Sequence, residues 1–557
     1  MVQSGPRTDE RRRFSARKSD RFPNWKSASG GGVSTIKLVS GALTVGVWTL
    51  LSRILGFVRD ILIAAWLGTG PVAEAFLIAF ALPNMFRRFF AEGAFNMAFV
   101  PMFSKKLESG DGAESFARDA MAMLATVLVL FTCLATIFMP WLVLAMASGF
   151  QGDARFDMTV TLGRVVFVYI LFISLAALVS GVLNASGRFR AAAAAPVLLN
   201  VILITGLLLA QSGLGASIIG PVDGGRHGTI LAFGTVLAGI AQLALVWIAA
   251  RRAGFDLRPK RPRWTPELKR LAIIAAPAAL AGGVVQVNLL IGRQVASFFD
   301  GAIAWLSYAD RLYQLPLGVV GIAIGIVLLP DLSRRLQADD TTGGQNALSR
   351  AAEMSLALAV PAAVALVVVP ASLIGVLFER GAFNEADTKA TALACAIYGL
   401  GLPAFVLQKV LQPLYFARED TRRPFKFAVV AMVVNAGLAI GLAPLIGYMA
   451  AAVGTTLAGW AMLWLLWRGS RGMGEAARFD DKALRRFGRI TAASVVMGVG
   501  LAAADWGLAG MIAASGAIKF AGLVLLCTFG AALYGIAGIG LGAFTLSELK
   551  FAFRRQR

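Results

Sequence analysis

Stretches of about 20 apolar residues, each long enough to carry a helix across a hydrocarbon core of roughly 30 Å, recur from Leu38 almost to the C-terminus. No water is available in lipid to hydrogen-bond backbone N–H and C=O groups, so each stretch must satisfy its own as a helix. The surrounding composition agrees: 57% of the 557 residues are hydrophobic and 15% charged, against about 25% charged in a soluble domain. The expected fold is an all-α polytopic membrane protein with fourteen transmembrane helices.

Charge along the chain supplies the topology. A net charge of +22 in a soluble protein would suggest nucleic acid, but here 40 of the 53 basic residues fall in alternate loops and the two tails, and five in the opposite loops. The positive-inside bias places both termini in the cytoplasm and requires an even number of spans. The division expected is a basic cytoplasmic tail over 1–37, six spans over 38–250, a cytoplasmic linker over 251–269 and six more spans over 270–467. A second linker over 468–487, two final spans over 488–545 and a cytoplasmic tail over 546–557 complete it. Cys133, Cys395 and Cys527 each sit alone in an apolar run, which gives no metal or disulfide spacing. His227 stands on a Gly-rich outer loop without a second ligand nearby and reads as solvated. No phosphate loop or nucleophile motif is present, so neither a cofactor nor enzymatic activity is expected.

The chain repeats itself. Pro101-Met102-Phe103-Ser104-Lys105-Lys106-Leu107 returns as Pro330-Asp331-Leu332-Ser333-Arg334-Arg335-Leu336, an offset of 229 residues, and Gly152 falls by the same offset on Gly381. Six spans separate the copies, and an even number preserves orientation. The expected architecture is therefore two six-helix lobes related by a pseudo-two-fold axis along the membrane normal, with two helices appended and a binding site between the lobes.

Charges inside the spans mark that site. Each arginine or lysine near a bilayer centre costs about 2.5–3.5 kcal/mol, so such residues face a wet cavity, a charged ligand or one another. The basic ones are Arg53, Arg59, Arg87, Arg88, Arg164, Arg293, Arg311 and Lys409, and the acidic ones Asp60, Glu74, Glu92 and Asp310. Eight against four favours an anionic ligand. The planar arginine fork suits phosphate, because it donates two parallel hydrogen bonds and keeps its proton. Arg53 and Arg59 lie six residues apart, about 240° around a helix, so a shared target requires a bend, with Gly56 the natural place. Asp310 is positioned to hold Arg311, Arg88 and Glu92 to pair within one helix, and Arg164 to snorkel to the surface.

Ser52-Arg53-Ile54-Leu55-Gly56-Phe57-Val58-Arg59-Asp60, Leu82-Pro83-Asn84-Met85-Phe86-Arg87-Arg88-Phe89-Phe90-Ala91-Glu92-Gly93 and Tyr308-Ala309-Asp310-Arg311-Leu312 closely resemble the MurJ (MviN) family of bacterial lipid II flippases. The resemblance covers all the expected spans. It implies the fold of the MOP exporters, with a V-shaped cavity between the lobes and a groove for a polyprenyl chain on the last two helices. The cargo it implies is the undecaprenyl-pyrophosphate-linked disaccharide pentapeptide of peptidoglycan, moved across the bacterial inner membrane. Membrane lipids and cell-wall synthesis proteins are the implied partners. The family's cavity arginines fall on Arg53, Arg59, Arg87 and Arg311, and its acid early in the second helix on Glu74. Together with Arg88, Asp60 and Asp310 these form the expected substrate-binding set. Some members are thought to hold sodium with a carboxylate in the seventh helix, where this chain offers only Gln286, Asn288 and Gln294. No fixed sodium site is expected, and membrane potential acting on a positive cavity is the expected drive. Gln314 stands where the family often has a glutamate. Competing readings are an exporter of another lipid-linked oligosaccharide, a drug and cation antiporter, which should show an acid-rich cavity, and a non-transporting scaffold for wall synthesis.

Overall fold

Apolar sequence becomes helix throughout the part of the chain that the structure, a computed structural model, describes: residues 33–88, 94–211, 225–258, 260–323 and 328–544. Glu92, most of the N-terminal tail and the C-terminal tail lie outside them. The first half contains α1 (Val33–Leu67), α2 (Pro71–Arg87), α3 (Ala94–Ser109), α4 (Ala113–Ile137), α5 (Met139–Ala147), α6 (Ala154–Val166), α7 (Tyr169–Ala185), α8 (Phe189–Gln211) and α9 (Gly225–Arg252). The second half contains α10 (Pro266–Ala296), α11 (Ala302–Ala323), α12 (Leu329–Gln337), α13 (Thr341–Val368), α14 (Pro370–Phe378), α15 (Glu385–Phe416), α16 (Arg422–Ile446) and α17 (Met449–Ser470). After these come α18 (Asp481–Gly507), α19 (Ala509–Ile512) and α20 (Ala517–Gly540).

Helix starts are written in the sequence. Pro71, Pro266 and Pro370 open α2, α10 and α14, where proline's missing N–H is no loss. Asp153, Thr265, Asp340, Asn384 and Asp480 cap α6, α10, α13, α15 and α18, each accepting from a backbone N–H of the first turn. Such caps are worth about 1 kcal/mol apiece.

Ten helices of the described residues are long and apolar enough to cross a membrane. Outside the ten fall α1, α2, α10 and α11, which carry most of the charges inside the expected spans. The helix expected to bend at Gly56 runs uninterrupted from Val33 to Leu67. In the other direction, one expected span over 71–103 ends as a helix at Arg87 and resumes at Ala94.

The two halves meet through an aromatic cluster at one end. Phe57 of α1 stands edge-on to Phe378 at 5.8 Å between centroids, and Tyr308 of α11 packs on Phe378 at 5.4 Å and on Phe383 at 5.7 Å. Tyr308, Phe378 and Phe383 are fully buried, and each such ring pair adds about 1 kcal/mol beyond its contact area. Phe57 and Tyr308 of this cluster also line a cavity shared by the four charge-bearing helices.

Candidate functional site

The cavity has a volume of about 560 Å³ and lies between α1, α2 and α8 on one side and α10 and α11 on the other. Among the described residues six arginines line it: Arg53, Arg59, Arg87, Arg88, Arg293 and Arg311. Two aspartates, Asp60 and Asp310, oppose them. Each arginine left without a counter-charge in lipid would cost about 2.5–3.5 kcal/mol, a cost that a carboxylate partner, a wet cavity or an anionic occupant relieves.

Local sequence explains each position. On α1, Ser52, Gly56 and Arg59 follow the i, i+4, i+7 spacing of one helix face, and Arg53 points elsewhere. Arg59 donates through Nε and Nη2 to Asp60 Oδ1 at 3.0 and 2.7 Å and through Nη1 to Asn200 Oδ1 at 3.0 Å. Its guanidinium also stands 5.6 Å from the Phe80 ring centre, a cation–π distance. Arg53 reaches across to the second half, where its guanidinium rests against Gly318 of α11. A Cβ at that glycine would lie 2.2 Å from Nη1. On α2, Pro83 interrupts the ladder one turn before Arg87, and Arg88 caps the helix C-terminus, where the macrodipole favours a cation. On α11, Arg311 precedes the helix-internal Pro316 and keeps 43% of its side chain exposed to the cavity.

The partner of Arg311 differs from the expected one. Its Nε pairs with Asp60 Oδ2 at 2.7 Å, so one α1 carboxylate bridges Arg59 and Arg311 from opposite halves. Asp310 instead accepts from Gln314 one turn on. Asp60 and Arg59 are buried at 6% exposure each, and a carboxylate shared between two guanidiniums is the arrangement that makes a buried acid tolerable.

Glu74 lies away from the cavity. It sits 1% exposed in the first turn of α2, where it accepts from Arg155 Nη1 at 2.9 Å and from the Ile303 N–H at 3.1 Å. Arg155, one of the five basic residues that the sequence places in the opposite loops, is buried. It also pairs with Asp153 and, at 2.8 Å, with Asp300, and lies 4.5 Å over the Phe150 ring. The network joins the halves because Asp300 and Ile303 belong to the second and the others to the first. Lys409 and Arg164 are exposed and do not line the cavity, and Arg164 reaches back to the Thr136 carbonyl at 3.4 Å. His227 is half-buried, with its ring stacked 6.3 Å from that of Trp66. Sequence reasoning missed Asn200 and Gly318, and an amide isolated in the apolar run of α8 was the available signal for the first.

Glycines let the halves touch backbone to backbone at this same end. Gly68, with φ +61°, and Gly381, with φ +59°, flank a hydrogen bond of 2.8 Å from the Ala382 N–H to the Ala65 carbonyl. The Tyr308 hydroxyl donates to the Gly68 carbonyl at 3.0 Å, and Thr69 Oγ1 to Asp387 Oδ1 at 2.6 Å. Opposite, the Gly149 N–H donates to Ser297 Oγ at 3.0 Å.

Membrane-spanning helices in two halves, sealed at one end around a cationic cavity, define a polytopic membrane protein of the transporter class. Comparison with known proteins makes that class particular. A family model described as "Lipid II flippase MurJ" matches residues 63–517, and the chain belongs to this family, whose members are transporters rather than enzymes. A Rhizobium meliloti protein described as "Probable lipid II flippase MurJ" is 44% identical over 533 residues, 93% of this chain and 97% of that one. A Burkholderia cenocepacia "Lipid II flippase MurJ" is 36% identical over 417 residues, 74% of this chain and 80% of its own. Among solved structures, "Lipid II flippase MurJ, inward closed conformation" superposes with a TM-score of 0.73, covering 89% of this chain and 98% of that one at 23% identity. An inward-facing multidrug resistance MATE family transporter of the MOP superfamily gives 0.62 over 78% and 98% at 13% identity. These two likenesses are of fold.

Proposed function

We propose that this chain flips lipid II from the inner to the outer leaflet of the bacterial cytoplasmic membrane by alternating access. Arg53, Arg59, Arg87, Arg88 and Arg311 grip the pyrophosphate, and Asp60 and Asp310 set the arginines' geometry. The observation that carries this is the cavity lining, among the described residues, of six arginines against two aspartates in a chain of the MurJ family. The same polarity disfavours a cation antiporter. Glu74 serves by holding the two halves together, away from the cargo.

The proposed topology has fourteen spans and both termini in the cytoplasm, and each expected span coincides with helix among the described residues. Two lobes, 38–250 and 270–467, are related by a pseudo-two-fold axis along the membrane normal. Reciprocal contacts support this: the loop at Gly68 meets the loop at Gly381, while the loop at Gly149 meets that at Ser297. An offset of 229 carries position 68 to 297 and 152 to 381. The last two spans, over 488–545, form the groove for the polyprenyl chain with α13. An apolar channel of about 280 Å³ lined by Leu358, Pro361, Met497, Leu526 and Tyr534 supports that role.

Depletion in cells, with a leaflet assay for lipid II and complementation by Arg53→Ala and Arg311→Ala variants that reach the membrane, tests the proposal. Lipid II should remain in the inner leaflet in the depleted cells and in both variants. Normal arrival at the outer leaflet in cells with no second flippase would refute it.

A further inference from the structure

Asn200, an uncharged residue, touches α1 at both ends of its cavity-facing pair of turns. It is 5% exposed in α8. Its Nδ2 donates to the Ser52 carbonyl at 2.8 Å, and its Oδ1 accepts from Arg59 Nη1 at 3.0 Å. Between these contacts lies Gly56, where a Cβ would stand 3.6 Å from both amide heteroatoms. The side chain thus lies along Ser52, Gly56 and Arg59, fixed at one end to backbone and at the other to a guanidinium.

We propose that Asn200 is a positioning residue for the cargo site, setting the direction of the Arg59 guanidinium; this rests on the reading of Arg59 as a pyrophosphate ligand. The chemistry requires an amide. An amide offers one acceptor and one donor in fixed relation, so a single orientation satisfies arginine and backbone together. Being neutral, it orients Arg59 without consuming charge that the cargo needs. Aspartate would accept from Arg59 equally well but donate nothing to Ser52, and would place a second carboxylate on a guanidinium already paired with Asp60. An aliphatic side chain would leave Nη1 without this partner and free to turn.

The full chain in phosphatidylcholine nanodiscs is titrated with farnesyl pyrophosphate, which carries a prenyl-linked diphosphate, here with a free outer phosphate, on a shorter chain. Arg59→Ala is expected to weaken binding about tenfold. Asn200→Asp, whose new carboxylate keeps an acceptor for Arg59 and so a folded chain, is expected to weaken it comparably and to flatten its salt dependence. Asn200→Ala should fall between parent and Asn200→Asp. In the Arg59→Ala background Asn200→Asp should add no further loss, because the group it positions is gone. Parent affinity in Asn200→Asp, or a loss that adds in full to that of Arg59→Ala, overturns the positioning role while leaving Arg59 a ligand. The additive result would mean direct repulsion of the anion. Parent affinity in Arg59→Ala instead removes the reading of Arg59 on which the inference stands.

Discussion

At the scale of single residues, two cavity arginines are seated on neighbours with no charge of their own, Arg59 on Asn200 and Arg53 on Gly318. Arg53 rests on Gly318, and a methyl there would occupy the place of Nη1. The clash falls on the far end of a flexible side chain, so Gly318→Ala should displace Arg53 rather than α11. Alanine also favours helix over glycine by up to about 1 kcal/mol, so thermal stability in detergent should be unchanged or raised. Lipid II flipping, read by the leaflet assay, should nevertheless fall towards the level of Arg53→Ala, with no further loss in the double variant. A fully active Gly318→Ala would show that Arg53 does not need this seat. The contrast explains what the sequence disclosed. Arg53, Arg59, Arg87, Arg88 and Arg311 were legible because a charge in an apolar run is expensive, and all five line the cavity. Gly318 is one of 60 glycines, most of which allow close helix packing, so nothing local distinguished it. Asp60 was visible as a charge, but its bridging of two arginines required the spatial approach of α11 to α1.

At the scale of elements, the appended helices are fastened to α13 by charge. Glu353 of α13, 5% exposed, accepts from Arg350 at 2.7 Å and from Arg486 of α18 at 3.1 Å. Arg350 reaches on to Asp480, the N-cap of α18, at 2.6 Å. Arg486 and Arg489 donate to the carbonyls of Ala543 and Gly542 just beyond α20, where the final turn leaves carbonyls in need of donors. One buried carboxylate therefore anchors α13, α18 and the end of α20. Glu353→Gln would strip the carboxylate partner from Arg486 and leave Arg350 with Asp480 alone. Breaking a buried pair from one side costs about 3–5 kcal/mol, and the partial exposure of Arg350 moves the expectation towards about 3 kcal/mol. The expected signs are a lower melting temperature in detergent and faster proteolytic cleavage in the segment between α17 and α18. An unchanged melt would mean that apolar contacts among Val369, Met497, Leu501 and Leu526 hold these helices unaided. Sequence analysis counted Arg486 and Arg489 towards the cytoplasmic charge bias, and they carry this second, structural task that a one-dimensional count does not separate.

At the scale of the whole molecule, alternating access requires the sealed end to be strong enough to hold and weak enough to open. The seal is built from backbone contacts at glycines and one buried ionic network, with little room for adjustment. A Cβ at Gly149 would lie 2.5 Å from the Ser297 carbonyl carbon and 2.6 Å from the Phe298 nitrogen, and neither backbone can give way as a flexible side chain would. Gly149→Ala therefore raises the free energy of the sealed state alone, by about 2 kcal/mol on the scale of overpacking. Since about 1.4 kcal/mol is a factor of ten, the open population at this end should rise tenfold or more. Ser307 lines the cavity, so a Ser307→Cys reporter in a chain with Cys133, Cys395 and Cys527 replaced measures the change. Labelling by a membrane-impermeant maleimide applied outside intact cells should accelerate in the Gly149→Ala variant. Glu74→Gln should act in the same direction, because it removes a carboxylate from the network in which Arg155 links Glu74 of the first half to Asp300 of the second. Equal labelling rates in parent and Gly149→Ala would mean that the contact at Ser297 is maintained throughout the cycle. The pivot between the halves would then lie at this end, and the cavity could open only from the other.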